Sequence, residues 1–279
     1  MPRNKRKLEN DLNNVKNRIN EVVNNPKVVE PDIEDAVAQR PDCSQKENSS
    51  AEMKRFLRDY PLILKMRNGK DAPVDSVGCH MLADRTVDTD TRNFQTLTAL
   101  ILSPRVKDEH TARAMQQLKS HGLTVDNIIA TPVQTIQSLI SFLGLSQTKS
   151  ERLKKCAQIL HDQYGNKVPN DYSKLIALPG VGDKIASLVM VNCFDSDEFI
   201  GVDTHVHRIT NMLKWVKTKT PKQTDDALKT LVPRKDWRAL NVALVGMGQT
   251  FCKAVKPSCE VCLLNSTCPN SRVKLGVQK

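Results

Sequence analysis

The chain has 279 residues, enough for a large core and for two lobes. Lys and Arg number 42 against 31 Asp and Glu, and the net charge of +11 favours a polyanion such as DNA or RNA, bound by releasing counterions from its phosphates. Aromatics, at 4%, are too sparse for a surface that holds single strands by stacking. No apolar run approaches the roughly 18 residues of a membrane span, and the opening Met1-Pro2-Arg3-Asn4-Lys5-Arg6-Lys7 leads into polar sequence rather than a secretory signal. The expectation is a soluble, intracellular protein with no membrane partner.

Residues 1 to about 50 read as a polar, basic tail, with prolines at 2, 26, 31 and 41. Within it Leu8, Leu12, Val15, Ile19 and Val22 recur at alternating steps of four and three, the seam of a short helix suited to a protein partner or formed transiently in a disordered tail. Arg3, Lys5, Arg6 and Lys7 form a cluster of the nuclear-import or DNA-arm kind. From about residue 51 the period is helical. Phe94, Leu97, Leu100 and Ile101 mark one buried face; Ala114, Leu118 and His121 mark the next; Leu153, Cys156, Ala157 and Leu160 stripe a third. Thr131-Pro132-Val133-Gln134 and Thr220-Pro221-Lys222-Gln223 each read as an N-cap, a proline at the first helical position and a Gln closing a capping box. With no sustained alternation and no internal repeat, the fold is expected to be all-α.

Mid-chain, Leu178-Pro179-Gly180-Val181-Gly182-Asp183-Lys184 joins two apolar helical patterns through one proline and two glycines. Glycine permits a positive φ and a close backbone approach. The N–H groups opening the next helix then favour an anion, for which a nucleic-acid phosphate is the natural candidate. Lys184 falls in that helix's first turn. An ordinary lysine at neutral pH is a free amine only about one time in a thousand; burial, a helix N-terminus and nearby cations all increase that fraction. The amine is then a nucleophile for a sugar C1′. The plainer alternative is a surface lysine on phosphate or solvent.

Val202-Asp203-Thr204-His205-Val206-His207-Arg208 follows. Asp203 precedes an apolar pattern of Val206, Ile209 and Leu213, so it suits an N-cap; near an amine it also suits proton handling and stabilisation of a cationic sugar. His205, His207 and Arg208 read as structural or phosphate-facing, and two histidines two residues apart on a helix do not share a metal. Cys252, Cys259, Cys262 and Cys268 form C-x6-C-x2-C-x5-C within seventeen residues. In a reducing compartment four clustered thiols point to a metal site, and the spacing admits both zinc and an iron–sulfur cluster.

Taken together, Leu178–Lys184, Val202–Arg208 and the Cys252–Cys268 loop, in this order, resemble the endonuclease III family of DNA glycosylases. Phe94-Gln95-Thr96-Leu97 through Leu102-Ser103 and Lys107-Asp108 extend the similarity over roughly residues 70 to 270, and Leu244-Val245-Gly246-Met247-Gly248-Gln249 is similar to the eukaryotic members. The resemblance implies a helix-hairpin-helix fold of two lobes: a helical barrel over 86–196, and a [4Fe–4S] domain built from both flanks, 51–85 and 197–279. It implies Lys184 as catalytic nucleophile, Asp203 as catalytic carboxylate, and Cys252, Cys259, Cys262 and Cys268 as cluster ligands. Gly180, Val181, Gly182, Arg105, Lys253 and Lys256 are the implied DNA contacts. The implied activity is a bifunctional N-glycosylase and AP lyase for oxidised pyrimidines in base excision repair, acting as a monomer on double-stranded DNA with damaged or abasic sites, in the nucleus and also the mitochondrion. One departure is plain: Leu102-Ser103-Pro104-Arg105-Val106 stands where the family carries Leu-Ser-Ser-Gln-Thr, so Arg105 replaces the glutamine that fills the gap left by the flipped base. Three alternatives stand beside this reading. A non-catalytic or weakly active damaged-DNA-binding paralogue fits the altered loop. An adenine–mismatch glycosylase is disfavoured by Lys184, and a zinc-binding transcription factor explains only the cysteines.

Overall fold

The computed structural model describes residues 43–273, with side chains from 51 onward; the Leu8–Val22 seam and the basic cluster at Arg3–Lys7 lie outside the described residues. The chain forms twelve α-helices in the described region: α1 (Cys43–Met66), α2 (Pro73–Val77), α3 (Thr89–Leu102), α4 (Asp108–His121), α5 (Val125–Ala130), α6 (Val133–Leu139), α7 (Ser146–Tyr164), α8 (Tyr172–Ile176), α9 (Asp183–Phe194), α10 (Thr204–Met212), α11 (Pro221–Leu231) and α12 (Trp237–Thr250). No strand occurs among the described residues. The all-α expectation holds.

Buried residues form two cores. The first gathers Phe94, Leu97 and Leu102 of α3, Met115 and Leu118 of α4, Ile128, Ile136, Leu153 and Leu160, and Ile185 and Val189 of α9. The second joins Phe56, Tyr60 and Ile63 of α1 to Val206 and Ile209 of α10, Trp215, Leu228, Leu240, Leu244 and Leu264. Phe56, Tyr60 and Ile63 recur at helical spacing, and α1 runs N-terminally from that stripe to Cys43, into the stretch read as tail up to about residue 50.

Helix starts follow local chemistry. Asp88, Thr124 and Asp171 each accept a hydrogen bond from the backbone N–H three residues on. Such caps contribute about 1 kcal/mol apiece. Thr220 does the same for Gln223 N, with Pro221 at the first position, and Gln223 Oε1 reaches back to Lys219 N rather than to Thr220. Thr131 departs from expectation. Its hydroxyl donates to Asn127 O at 2.7 Å and meets His121 Nε2 at 2.9 Å, so it closes α5; Pro132 takes the N-cap place of α6 without a side-chain bond. A carbonyl of the preceding helix outcompetes the N–H groups of the next for this hydroxyl.

Candidate active site

The hairpin lies between α8 and α9. Gly180 has φ +86, and a Cβ there would meet Arg152 Cδ at 3.0 Å, so both the turn and the approach of α7 require glycine. Val181 N donates to Leu178 O at 3.1 Å, and the Val181 side chain is buried in the first core. Of the three hairpin residues expected at the DNA, Val181 therefore faces inward with side chain and amide both engaged. Gly182 is the N-cap of α9 and has no side chain to satisfy the first-turn N–H groups. Lys184 stands exposed in that turn. The burial expected from sequence is therefore absent at Lys184. Asp183, beside it, accepts a hydrogen bond from Tyr172 OH at 2.8 Å.

Asp203 begins α10. Its Oδ1 accepts from Val206 N at 2.8 Å, and the residue is 9% exposed. It is an N-cap, as its sequence context allowed, and also a largely buried carboxylate at the edge of the second core. Around it the histidines diverge: His207 Nδ1 meets Thr224 Oγ1 at 2.6 Å, whereas His205 lies against Gly248, where a Cβ would collide with its ring. Arg208 Nη2 donates to Cys252 O at 2.6 Å, turning toward the cysteine loop and not toward a phosphate.

His205 brings the catalytic candidates into one neighbourhood. Burial pushes its pKa down; the Asp203 carboxylate counters this, and the charges of Arg208, Lys184 and Asp108 act on it too. Its Nδ1 is buried without a hydrogen-bond partner among the described residues. Asp108, first residue of α4, is a group the sequence reading matched only as part of a turn. Burial raises its pKa, offset by the Gln249 amide and by the Lys184 ammonium. Gln249 Nε2 donates to Asp108 Oδ2 at 2.7 Å, and Gln249 Oε1 accepts from Val74 N at 2.9 Å. One side chain thus ties α12 to α2 and α4 and fixes a second carboxyl near Lys184. Cys79 also senses Lys184, but burial drives its thiol up to about 11, so it is no competing nucleophile. Lys184, on the helix that carries Ile185 and Val189 into the first core, and Asp203, at the start of the helix that carries Val206 into the second, thus both act on His205, and Lys184 acts on Asp108 as well.

Two turns present exposed tips. Arg105 is exposed at φ +62 in the turn closed by Val106 N to Ser103 O. Leu145 is 60% exposed at φ +60 just before α7. Lys149, missed from the sequence, is 4% exposed and donates to the carbonyls of Leu102 and Pro104 at 2.6 and 3.1 Å. A signal existed: counting back from Leu160, Cys156 and Leu153 by helical steps lands on position 149.

Cys252, Cys259, Cys262 and Cys268 line one cavity with Ile209, Leu213, Met247 and Leu264. Burial raises the Cys252, Cys262 and Cys268 thiols, and their mutual charges raise them further. Four sulfurs facing one apolar-walled space suit a group that needs thiolate ligands; among the described residues no three such side chains are gathered to hold a single ion. Lys253 and Lys256 are exposed on the same loop, Lys256 at φ +56.

The model of the HhH-GPD superfamily base excision DNA repair proteins matches residues 98–234. The chain is 42% identical over 212 residues to Endonuclease III-like protein 1 of Bos taurus, covering 75% of this chain and 70% of that protein. It is 37% identical over 225 residues to the endonuclease III homolog of Encephalitozoon cuniculi, covering 76% and 93%. A solved non-covalent endonuclease III–DNA complex is similar at TM-score 0.69 and 27% identity, covering 80% of this chain and 98% of that one. A trapped endonuclease III–DNA covalent intermediate is similar at TM-score 0.67 and 26% identity, covering 78% and 97%. With its hairpin and these relatives together, the chain belongs to the endonuclease III family of helix-hairpin-helix base-excision-repair DNA glycosylases.

Proposed function

We propose that the protein is a bifunctional DNA N-glycosylase and AP lyase that removes oxidised pyrimidines from double-stranded DNA. The observation that carries this reading is the placement of Lys184: exposed in the uncapped first turn after the hairpin, close enough for its charge to act on Asp108 and His205, with Asp203 acting on the same imidazole. The α9 N-terminus, with the Gly180 and Gly182 amides, holds a backbone phosphate, and the neighbouring Arg152 lies on the same face. The damaged base leaves the stack, which costs a few kcal/mol and is easiest for a distorted pyrimidine. Deprotonated Lys184 Nζ attacks C1′; the C1′–N bond breaks and its electron pair leaves with the base, which takes up a proton. Asp203 stabilises the positive charge on the sugar. The nitrogen then gives up a proton and its lone pair opens the C1′–O4′ bond, O4′ taking up a proton. The imine so formed acidifies C2′, and loss of the C2′ proton with β-elimination expels the 3′ phosphate. Arg105 enters the gap left by the flipped base.

The four cysteines are the proposed ligands of a [4Fe–4S] cluster, which supplies a fixed scaffold for the loop of Lys253 and Lys256 and takes no part in bond breaking. The two cores are proposed as two lobes, a barrel over 86–196 and a cluster domain from 51–85 and 197–279. The protein acts as a monomer, with the basic start favouring the nucleus and a mitochondrial share beside it. Incubation with duplex DNA containing thymine glycol tests the activity: base release accompanied by strand scission is expected. Release without scission makes the enzyme monofunctional, and binding with neither makes it a non-catalytic paralogue.

A further inference from the structure

We propose that Lys149 is a positioning residue that straps the two exposed tips, Arg105 and Leu145, into one unit and thereby sets discrimination among the bases opposite the lesion. The inference rests on the proposed reading of Arg105 as the group that fills the vacated gap. Lys149 is almost fully buried and has no carboxylate partner among the described residues. A buried ammonium is expensive, and an apolar side chain of similar length would fill the same space without that cost. What the charge provides is two hydrogen bonds. Leu102 is the last residue of α3, so its carbonyl lies at the negative end of the helix dipole. Pro104 O belongs to the residue immediately before Arg105. Pro104 has no N–H with which to brace the turn, and Arg105 sits in the left-handed region, which is strained for a non-glycine residue. The Lys149 ammonium braces that turn from outside. Its own backbone N–H donates to Leu145 O at 2.9 Å. One residue therefore bonds to the Leu145 tip through its main chain and to the Arg105 loop through its side chain.

The same helix provides a control. Lys154 Nζ donates to Ile129 O and to Thr131 O, tying α7 to the end of α5 without bonding to either tip. Lys149→Met and Lys154→Met are compared with wild type, Arg105→Ala and Lys149→Met/Arg105→Ala, in single-turnover excision of thymine glycol opposite each of the four bases, with thermal midpoints measured alongside. The expected result is that Lys149→Met narrows the rate ratio between favoured and disfavoured opposite bases by between about 10- and 100-fold, the scale of an ångström misplacement. Lys154→Met should lower the midpoint and leave the ratio unchanged, and Lys149→Met should narrow the ratio no further once Arg105 is removed. Lys149→Gln keeps one donor for the Leu102 carbonyl and serves the same comparison if the Met variant does not fold. The proposal is overturned if wild type excises equally opposite all four bases, if Lys149→Met slows excision by one factor whatever the opposite base, or if its effect is undiminished in the Arg105→Ala background. Lyase activity on a preformed abasic site is read separately: its absence from wild type contradicts the catalytic reading itself, whereas its presence with unchanged ratios contradicts only the strap.

Discussion

At the scale of single residues, Asp203 carries two duties that substitution separates. Asparagine caps a helix as well as aspartate, so Asp203→Asn should leave the thermal midpoint close to wild type while lowering single-turnover excision by about 10²–10³, the usual loss when a preorganised electrostatic group is removed. Asp203→Ala should lose the Val206 bond as well and cost about 1 kcal/mol in denaturant unfolding. If Asp203→Asn is fully active, the carboxylate is a cap alone. His205 gives a pH signature. Its burial keeps the folded-state pKa below 6.5, so the folded protein resists a proton that the unfolded chain accepts. The stability that this contributes is present above pH 6.5 and is lost as the pH falls below it; unfolding midpoints measured across that range should decline less steeply for His205→Gln. Lys184 and Asp203 could be singled out as candidates from the sequence because each lies within a short motif. Asp108 and Gln249 were not, because 141 residues separate the partners of their hydrogen bond, and no local spacing reports such a pairing.

At the scale of elements, the hairpin owes its form to one glycine more than the other. Gly180 combines φ +86 with the Arg152 side chain against it, whereas Gly182 is extended, with nothing within 4 Å of an added Cβ. Gly180→Ala should destabilise the fold by about 1–2 kcal/mol and weaken duplex binding, while Gly182→Ala should fold normally. Unfolding curves and fluorescence-anisotropy titrations would contradict this account if the two variants behaved alike. The same contrast between pattern and context explains the two Thr-Pro segments. Thr220 follows a loop and caps α11, but Thr131 ends α5 directly, where a free carbonyl claims its hydroxyl. The two motifs share a pattern, and the helix that ends at Thr131 distinguishes them.

For the molecule as a whole, the net charge of +11 makes duplex affinity fall steeply with salt. Replacing both Lys253 and Lys256 by Ala should reduce the slope of log K against log salt by about 1 for each phosphate no longer neutralised, with little change in single-turnover rate at saturating enzyme. Removing a proposed cluster ligand acts elsewhere: Cys262→Ala should lower the thermal midpoint, because Cys262 packs on the second core beside Leu264, and, if the four cysteines hold the proposed cluster, should abolish its visible absorbance. The helical class and the cysteine set were legible in periodicity and spacing. How α2, α4 and α12 meet through Val74, Asp108 and Gln249 was not, since it depends on three distant segments closing around one amide. Borohydride trapping on duplex DNA containing thymine glycol asks whether Lys184 forms the covalent bond. A covalent protein–DNA adduct is expected with wild type, and its loss is expected in Lys184→Ala while duplex binding persists. An adduct retained in Lys184→Ala, or none formed by a wild type that binds the DNA, would contradict that role.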